Sequence, residues 1–145
     1  MATVRDILAK KGSQVWSLGG ETSVLQAAQF MTEHKIGALL VLDGAHIAGM
    51  FSERDILRRV VAEGRDPAQI LVADVMTTEV ACCTPETSLE EARGAMKNRR
   101  IRHLPVVDGN EKLLGVISIG DLNAFQVADQ EQTIFLLNEY LYGRV

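Results

Sequence analysis

Hydrophobic positions follow two kinds of spacing along this chain, and each kind occurs twice. Apolar residues recur every three or four positions after Ser23 and after Ser88, which predicts two amphipathic helices capped by these serines. Glu91 lies three residues after Ser88 and completes a predicted capping box. Short apolar runs follow each helix, with Asp-Gly turn signals between them: ALLVL and HIAGMFS, then LPVVD and LLGVIS. Each segment is therefore predicted to form strand, helix, strand, strand and helix.

The two segments are copies of one sequence. Glu21-Thr22-Ser23 aligns with Glu86-Thr87-Ser88 at an offset of 86 − 21 = 65, and later apolar positions keep this offset. One additional residue in the second turn changes the offset to 118 − 52 = 66 for the stretches GMFSERDI and GVISIGDL. Because a one-residue insertion at a hairpin tip costs little, the whole pattern indicates an internal duplication.

The duplication predicts the fold class and the domain boundaries. A motif of roughly 50 residues with a small sheet would be marginal alone, so we expect an α+β fold in which two β-α-β-β-α motifs pack about a pseudo-two-fold axis. Apolar residues at helical spacing near the C-terminus predict a further helix, suited to dimer contacts or to packing on its own domain. The expected segments are a first motif at 1–62, a linker at 63–71, a second motif at 72–127 and the C-terminal helix at 128–145.

Charge and composition limit the classes of partner that we expect for this chain. The formal charge of −4 argues against a general attraction to nucleic acid. No apolar run reaches the roughly 20 residues that span a bilayer, and the N-terminus lacks the apolar core of a signal peptide, so we expect a soluble, cytoplasmic protein without membrane contact. Cys82 and Cys83 are adjacent, which places them poorly for a mutual disulfide. We interpret one as a core residue and the other as half-exposed, with a vicinal-thiol redox switch as the alternative.

The repeated serine and aspartate allow two interpretations. Ser52 and Ser118 stand where a strand passes into a helix, and Asp55 and Asp121 follow in the first helical turn. These residue types cap helices and favour the helix dipole. The same arrangement offers a hydroxyl and free amides to an anion, and a carboxylate to both hydroxyls of a ribose. Serine for phosphate and aspartate for sugar together point to a nucleotide.

At these motifs the chain resembles a tandem pair of cystathionine-β-synthase (CBS) domains, a regulatory module for adenosine-containing ligands. The resemblance extends from about Val4 to Gln126 and is most specific in VADVMTTEV, RIRHLPVVD, GVISIGDL and GMFSERDI. It implies that Asp55 and Asp121 bind ribose and that Ser52 and Ser118 contact phosphate. It also implies clefts between the two motifs, in which the first strand of each motif contacts adenine through Ile36, Gly37 and Ala38 or through Ile101, Arg102 and His103.

Basic residues make the two expected sites unequal. Arg99, Arg100, Arg102 and His103 form a cationic patch in the second motif, where the first motif has His34, Lys35, Gly37 and Ala38. Arg99 and Arg100 suit a helix end, whereas we expect Arg102 or His103 to contact phosphate. Arg54 is the corresponding candidate of the first motif.

No nucleophile with its base, phosphate loop or metal-ligand cluster is present at useful spacing, so we expect neither catalysis nor a metal. The leading hypothesis is a homodimeric, non-enzymatic sensor that binds AMP, ADP or ATP and regulates a separate protein chain. Alternatives are binding of an NAD-type dinucleotide, binding of S-adenosylmethionine, whose sulfonium would meet the cationic patch, and a scaffold that binds no ligand. A weak nucleotide-processing enzyme is a further hypothesis.

Overall fold

The two amphipathic helices form where their spacing predicts them. The computed structural model describes residues 2–12 and 15–142, without the side chains at 132, 133, 135, 136 and 138–142. Helices α2 (Val24–His34) and α5 (Leu89–Arg99) follow the two serine caps. Ser23 Oγ accepts a hydrogen bond from the Gln26 amide, and Ser88 Oγ accepts one from the Glu91 amide, both at 3.1 Å. The predicted capping box at Ser88 is confirmed, and Ser23 has one too.

The first repeat contains a three-stranded sheet. Strands β1 (Ser17–Gly19) and β2 (Ala38–Asp43) are parallel, and β2 pairs antiparallel with β3 (His46–Ser52). The second repeat contains β4 (His103–Val107) and β5 (Leu113–Ser118) in a two-stranded sheet. Within the described residues, the counterpart of β1 is reduced to a single parallel bridge between Cys83 and Val106. The first strand predicted for the second repeat is therefore shorter than expected.

The remaining helices differ in length and regularity. They are α1 (Val4–Lys11), α3 (Glu53–Asp55), which continues as a π-helix (Ile56–Val61), α4 (Val72–Val75) and α6 (Ile119–Tyr142). Helix α6 joins the closing helix of the second repeat to the predicted C-terminal helix without a break, because the chain has neither proline nor glycine after Gly120 to interrupt it before residue 142. No helix among the described residues is long and apolar enough to cross a membrane.

The chain forms two compact units, and the helix that precedes each repeat in the sequence belongs to the unit of the other repeat. One unit comprises residues 1–13, 83–106 and 115–145, and the other comprises 14–82 and 107–114. The Val4 amide donates to the Thr87 carbonyl at 2.9 Å, and the Val72 amide donates to the Thr22 carbonyl at 2.8 Å. Thr22 and Thr87 are equivalent positions of the duplication, and Val4 and Val72 are both fully buried. The helix that leads into each repeat thus packs on the other repeat.

Apolar side chains fill the interior of each unit. The unit around the three-stranded sheet has a continuous core that includes Val24, Met31, Val41, Phe51 and Val60. In the other unit, the buried side chains are Val4, Ile7, Ala92, Met96, Leu104, Val106, Ile117 and Leu122.

The two cysteines occupy different environments. Cys83 is buried and Cys82 is exposed, as the sequence predicted in outline. Burial, followed by the nearby charge of Glu111, raises the pKa of the Cys82 thiol. Since a raised pKa disfavours the reactive thiolate, this environment gives no support to the redox alternative.

Candidate functional site

The first repeated motif forms a tight loop between β3 and α3. The Ser52 amide donates to Asp55 Oδ2 at 2.9 Å, and the Ser52 hydroxyl lies 3.3 Å from the same oxygen. Asp55 is the buried charged residue of this region, with 9% of its surface exposed. Arg59 Nε lies 3.8 Å from the other oxygen, Oδ1. The hydrogen bonds from Ser52 and the pairing with Arg59 hold the Asp55 carboxyl group in a fixed orientation.

The second motif repeats this loop between β5 and α6. The Ser118 amide donates to Asp121 Oδ2 at 2.8 Å, and the Asp121 amide donates to Ser118 Oγ at 3.1 Å. The ammonium of Lys11 also donates to Asp121 Oδ2, at 2.7 Å. Burial raises the pKa of Asp121, but the hydrogen bonds from Lys11 and Ser118 outweigh it, so this pKa is lowered overall. Asp121 Oδ1 has no hydrogen-bond partner within the described part of the chain.

Each serine loop is tied to the start of β2 or β4, which is the second strand of its repeat and not the first strand that the resemblance implied. The Glu53 amide donates to the Gly37 carbonyl at 3.0 Å, and the Ile119 amide donates to the Arg102 carbonyl at 2.9 Å. These bonds join equivalent positions of the duplication. The serine, the aspartate and the strand start therefore lie together in both repeats, as an adenosine site would require.

Side chains at the two strand starts differ in charge. A Cβ added to Gly37 would lie 2.6 Å from Glu53 Oε1, so the Glu53 carboxylate lies against this glycine. The second repeat has the exposed Arg102 and the apolar Ile119 at the equivalent positions. The first site thus has a carboxylate where the second has a cation.

The other predicted residues lie near these loops with different degrees of exposure. Ile36 packs against the core of its unit, and Ala38 pairs with Ser52 across β2 and β3. Arg54 is exposed in α3. Ile101 is half-buried, and its amide donates to the Met96 carbonyl at 3.0 Å.

His103 is half-buried in a charged environment. Burial, and then the charge of Lys11, lower the pKa of His103, while the Asp121 carboxylate opposes them and Arg102 adds a smaller lowering. The imidazole is therefore neutral at pH 7 in the absence of a ligand. Lys11 and Asp121, which pair at the second serine loop, therefore also influence His103.

Comparison with known proteins identifies the duplication. The profile of the CBS domain matches residues 4–62 and again residues 72–127. The chain belongs to the CBS domain family. Its fold is mixed, with helices and small sheets in two CBS motifs, and the family resemblance stated from the sequence is confirmed.

Relatives of similar length share this organisation. The CBS domain-containing protein YhcV of Bacillus subtilis is 36% identical over 138 residues, which cover 95% of each chain. A solved structure described as a putative signal-transduction protein with CBS domains, from Burkholderia ambifaria, is 42% identical with a TM-score of 0.83, covering 89% of this chain and 96% of that one. The CBS domain pair of protein MJ0100, solved with 5′-methylthioadenosine and S-adenosyl-L-methionine, has a TM-score of 0.76 at 20% identity, covering 89% and 98% of the two chains. CBS pairs of this kind are regulatory ligand-binding modules.

Two cationic residues at the sites were missed by sequence reasoning. Lys11 lies ahead of Glu21, where the alignment of the two copies begins, and Arg59 follows the stretch GMFSERDI. Besides its ion pair with Asp55, Arg59 donates through Nη1 to the carbonyls of Val75 at 2.9 Å and Met76 at 3.2 Å. Both residues resemble ordinary helix-surface cations in sequence, so only the folded structure associates them with the aspartates.

Proposed function

We propose that this protein is a regulatory sensor that binds adenine nucleotides, AMP, ADP or ATP, at its two serine–aspartate loops and signals to a separate protein chain. A homodimer in the cytoplasm is part of the proposal. Family membership supports the regulatory class, while the choice of an adenine nucleotide rests on the local chemistry of the loops.

The observation behind the proposal is that both loops keep the same arrangement. Each serine amide donates to one oxygen of its aspartate, Oδ2 of Asp55 or of Asp121. The other oxygen, Oδ1, accepts no hydrogen bond from the described residues in either loop and is available to the hydroxyls of a ribose, although in the first loop Arg59 Nε lies 3.8 Å from it. The serine hydroxyl and the helix N-terminus lie three residues away, at a suitable position for a phosphate. A helix capping box contains the same bonds between serine and aspartate, but it does not require the further bond that joins each loop to the strand start, from Glu53 to Gly37 and from Ile119 to Arg102.

Two alternatives have specific observations in their favour. The bound molecules of MJ0100 are adenosine compounds with a thioether or sulfonium group, so a ligand without phosphate remains a candidate. A scaffold function is favoured by exposed apolar residues on α6, at Val127, Ile134 and Leu137. An NAD-type dinucleotide, the third alternative, has no such observation in its favour and would need to reach from one loop to the cations around Arg102.

Thermal shift on nucleotide-stripped protein tests the proposal. AMP, ADP, ATP, NAD and S-adenosylmethionine are compared in parallel, because a ligand at 100 times its dissociation constant adds about 2.7 kcal/mol to the free energy of unfolding. Asp55→Asn and Asp121→Asn are the informative variants. The side-chain oxygen of asparagine can still accept the hydrogen bond from the serine backbone amide, whereas the substitution removes the negative charge. Asp43→Asn, at an exposed position on β2, is the matched control.

The outcomes separate the functions. A sensor shows stabilisation by at least one adenine nucleotide that the two site variants reduce and the Asp43→Asn variant retains. Stabilisation by S-adenosylmethionine alone would favour the ligand without phosphate. The absence of any shift with all five compounds would refute the sensor and favour the scaffold.

A further inference from the structure

One ion pair at the second loop comes from outside the repeat. Lys11 is the last residue of α1, 110 positions before Asp121 in the sequence. Its ammonium donates to Asp121 Oδ2 at 2.7 Å and to the Val116 carbonyl at 2.8 Å. The side chains of Lys11 and Asp121 are 34% and 24% exposed, so solvent and ligands reach both.

The geometry of the ammonium leaves one donor for a ligand. A lysine ammonium has three N–H donors, and two of them are directed to Asp121 and Val116. These two acceptors fix the nitrogen beside the serine loop, within reach of a ligand held by Ser118 and Asp121. The influence of Lys11 on the pKa of His103 is consistent with this position.

The first loop does not reproduce this arrangement. Its cation, Arg59, is directed with Nη1 to the carbonyls of Val75 and Met76. The Glu53 carboxylate, which lies against Gly37, adds a negative charge near Ser52. At the second loop Lys11 pairs with Asp121, Arg102 stands at the position of Gly37, and the apolar Ile119 stands at the position of Glu53, so the charge there is more positive.

We propose that Lys11 is a specificity-determining residue of the Ser118–Asp121 site. Its third N–H binds the phosphate next to the ribose, so this site selects phosphorylated adenosine over adenosine compounds that lack a phosphate. This inference rests on the proposed nucleotide-binding function. The first site, with Glu53 beside it, discriminates less between phosphorylated and unphosphorylated adenosine compounds.

Calorimetric titration of Lys11→Gln with AMP and with adenosine tests the inference. The measurements use the full chain and are repeated in the Asp55→Asn background, so that the second site is observed alone. We expect Lys11→Gln to weaken AMP binding about 10-fold or more, the usual effect of losing a charged hydrogen bond, and to change adenosine binding less than about threefold. Lys11→Arg should recover part of the AMP affinity.

Lys10→Gln is the matched control. Lys10 is adjacent to Lys11, but its ammonium lies 5.5 Å from the centre of the Phe125 ring, so this variant should bind both ligands as the wild type does. Equal weakening of AMP and adenosine by Lys11→Gln would assign Lys11 a merely structural role, and unchanged AMP binding would also overturn the inference. A wild-type chain that binds adenosine and AMP equally would refute the role of Lys11 alone. A wild-type chain that binds neither would refute the nucleotide function and this inference with it.

Discussion

Replacing Gly49 by alanine tests why the repeated motif of the first repeat begins with glycine. Gly49 lies in β3 opposite Val41. A Cβ at this position would lie 2.6 Å from Met76 Sδ and 2.7 Å from the Thr77 carbonyl oxygen. The methionine side chain can rotate away, but the carbonyl belongs to a backbone segment that is bridged to β3. The structure therefore predicts that Gly49→Ala separates the chain after α4 from the sheet.

The magnitude follows from the contacts that the new methyl group disturbs. Met50 and Thr77 exchange two backbone hydrogen bonds, at 2.8 and 2.9 Å. Overpacking costs about 1–3 kcal/mol and each weakened hydrogen bond about 1 kcal/mol, while removing a glycine from a strand returns about 0.5–1 kcal/mol. We expect a net loss of about 2–4.5 kcal/mol in the free energy of unfolding.

Urea denaturation followed by circular dichroism measures this loss. The midpoint should fall while the slope of the transition stays constant, because the same surface is exposed on unfolding. Gly94→Ala is the control, since no atom lies within 4 Å of its added Cβ and α5 should gain about 0.5–1 kcal/mol from the better helix former. If Gly49→Ala were as stable as the wild type, the explanation of this glycine by close packing would be wrong.

Three further predictions concern caps and charges. Ser23→Ala and Ser88→Ala should each lower the free energy of unfolding by about 1 kcal/mol in urea titrations, because each removes a capping acceptor of the same geometry. The lowered pKa of Asp121 contributes stability that is fully present above the unfolded-state pKa and is lost as the pH falls through the folded-state pKa. In acid titrations, the stability difference between wild type and Asp121→Asn should therefore begin to shrink below about pH 5 and continue to shrink until the pH has passed the folded-state pKa. A phosphate that contacts His103 should raise the lowered pKa of this imidazole, so AMP binding should be accompanied by proton uptake, which calorimetry in two buffers of different ionisation enthalpy measures. His103→Gln should abolish the uptake, and equal uptake in both proteins would refute the contact.

Local features of the sequence predicted much of the fold. Each capping serine acts within three residues of itself, so Ser23 and Ser88 locate their helices without knowledge of the rest of the chain. The duplication then supported the same prediction twice. Helix ends were harder to predict, because Lys35 and Arg100 adopt left-handed conformations (φ 55°) that sequence patterns associate with glycine.

Features that depend on distant contacts could not be predicted. Gly49 was recognisable as a motif residue, but the reason for it is Thr77, which follows an intervening helix and linker. The exchange of α1 and α4 between the repeats also depends on contacts far along the chain, such as that of Val4 with Thr87. Local periodicity contains no information about such pairs.

Cations connect both aspartates to the exchanged segments. Arg59 pairs with Asp55 and donates to the Val75 carbonyl at the end of α4, while Lys11, at the end of α1, pairs with Asp121 directly. A ribose on either aspartate would bring its hydroxyls to the carboxylate that these cations contact. A ligand shifts an equilibrium between two conformations only when it binds one of them more tightly than the other. Two conformations in which the Arg59–Asp55 and Lys11–Asp121 contacts differ in strength would differ in this way in their affinity for a ribose. Arg59 Nη1 is directed to two backbone carbonyls and its Nε lies 3.8 Å from Asp55, whereas the Lys11 ammonium donates directly to Asp121 at 2.7 Å. We therefore expect the two proposed sites to respond differently to the same nucleotide.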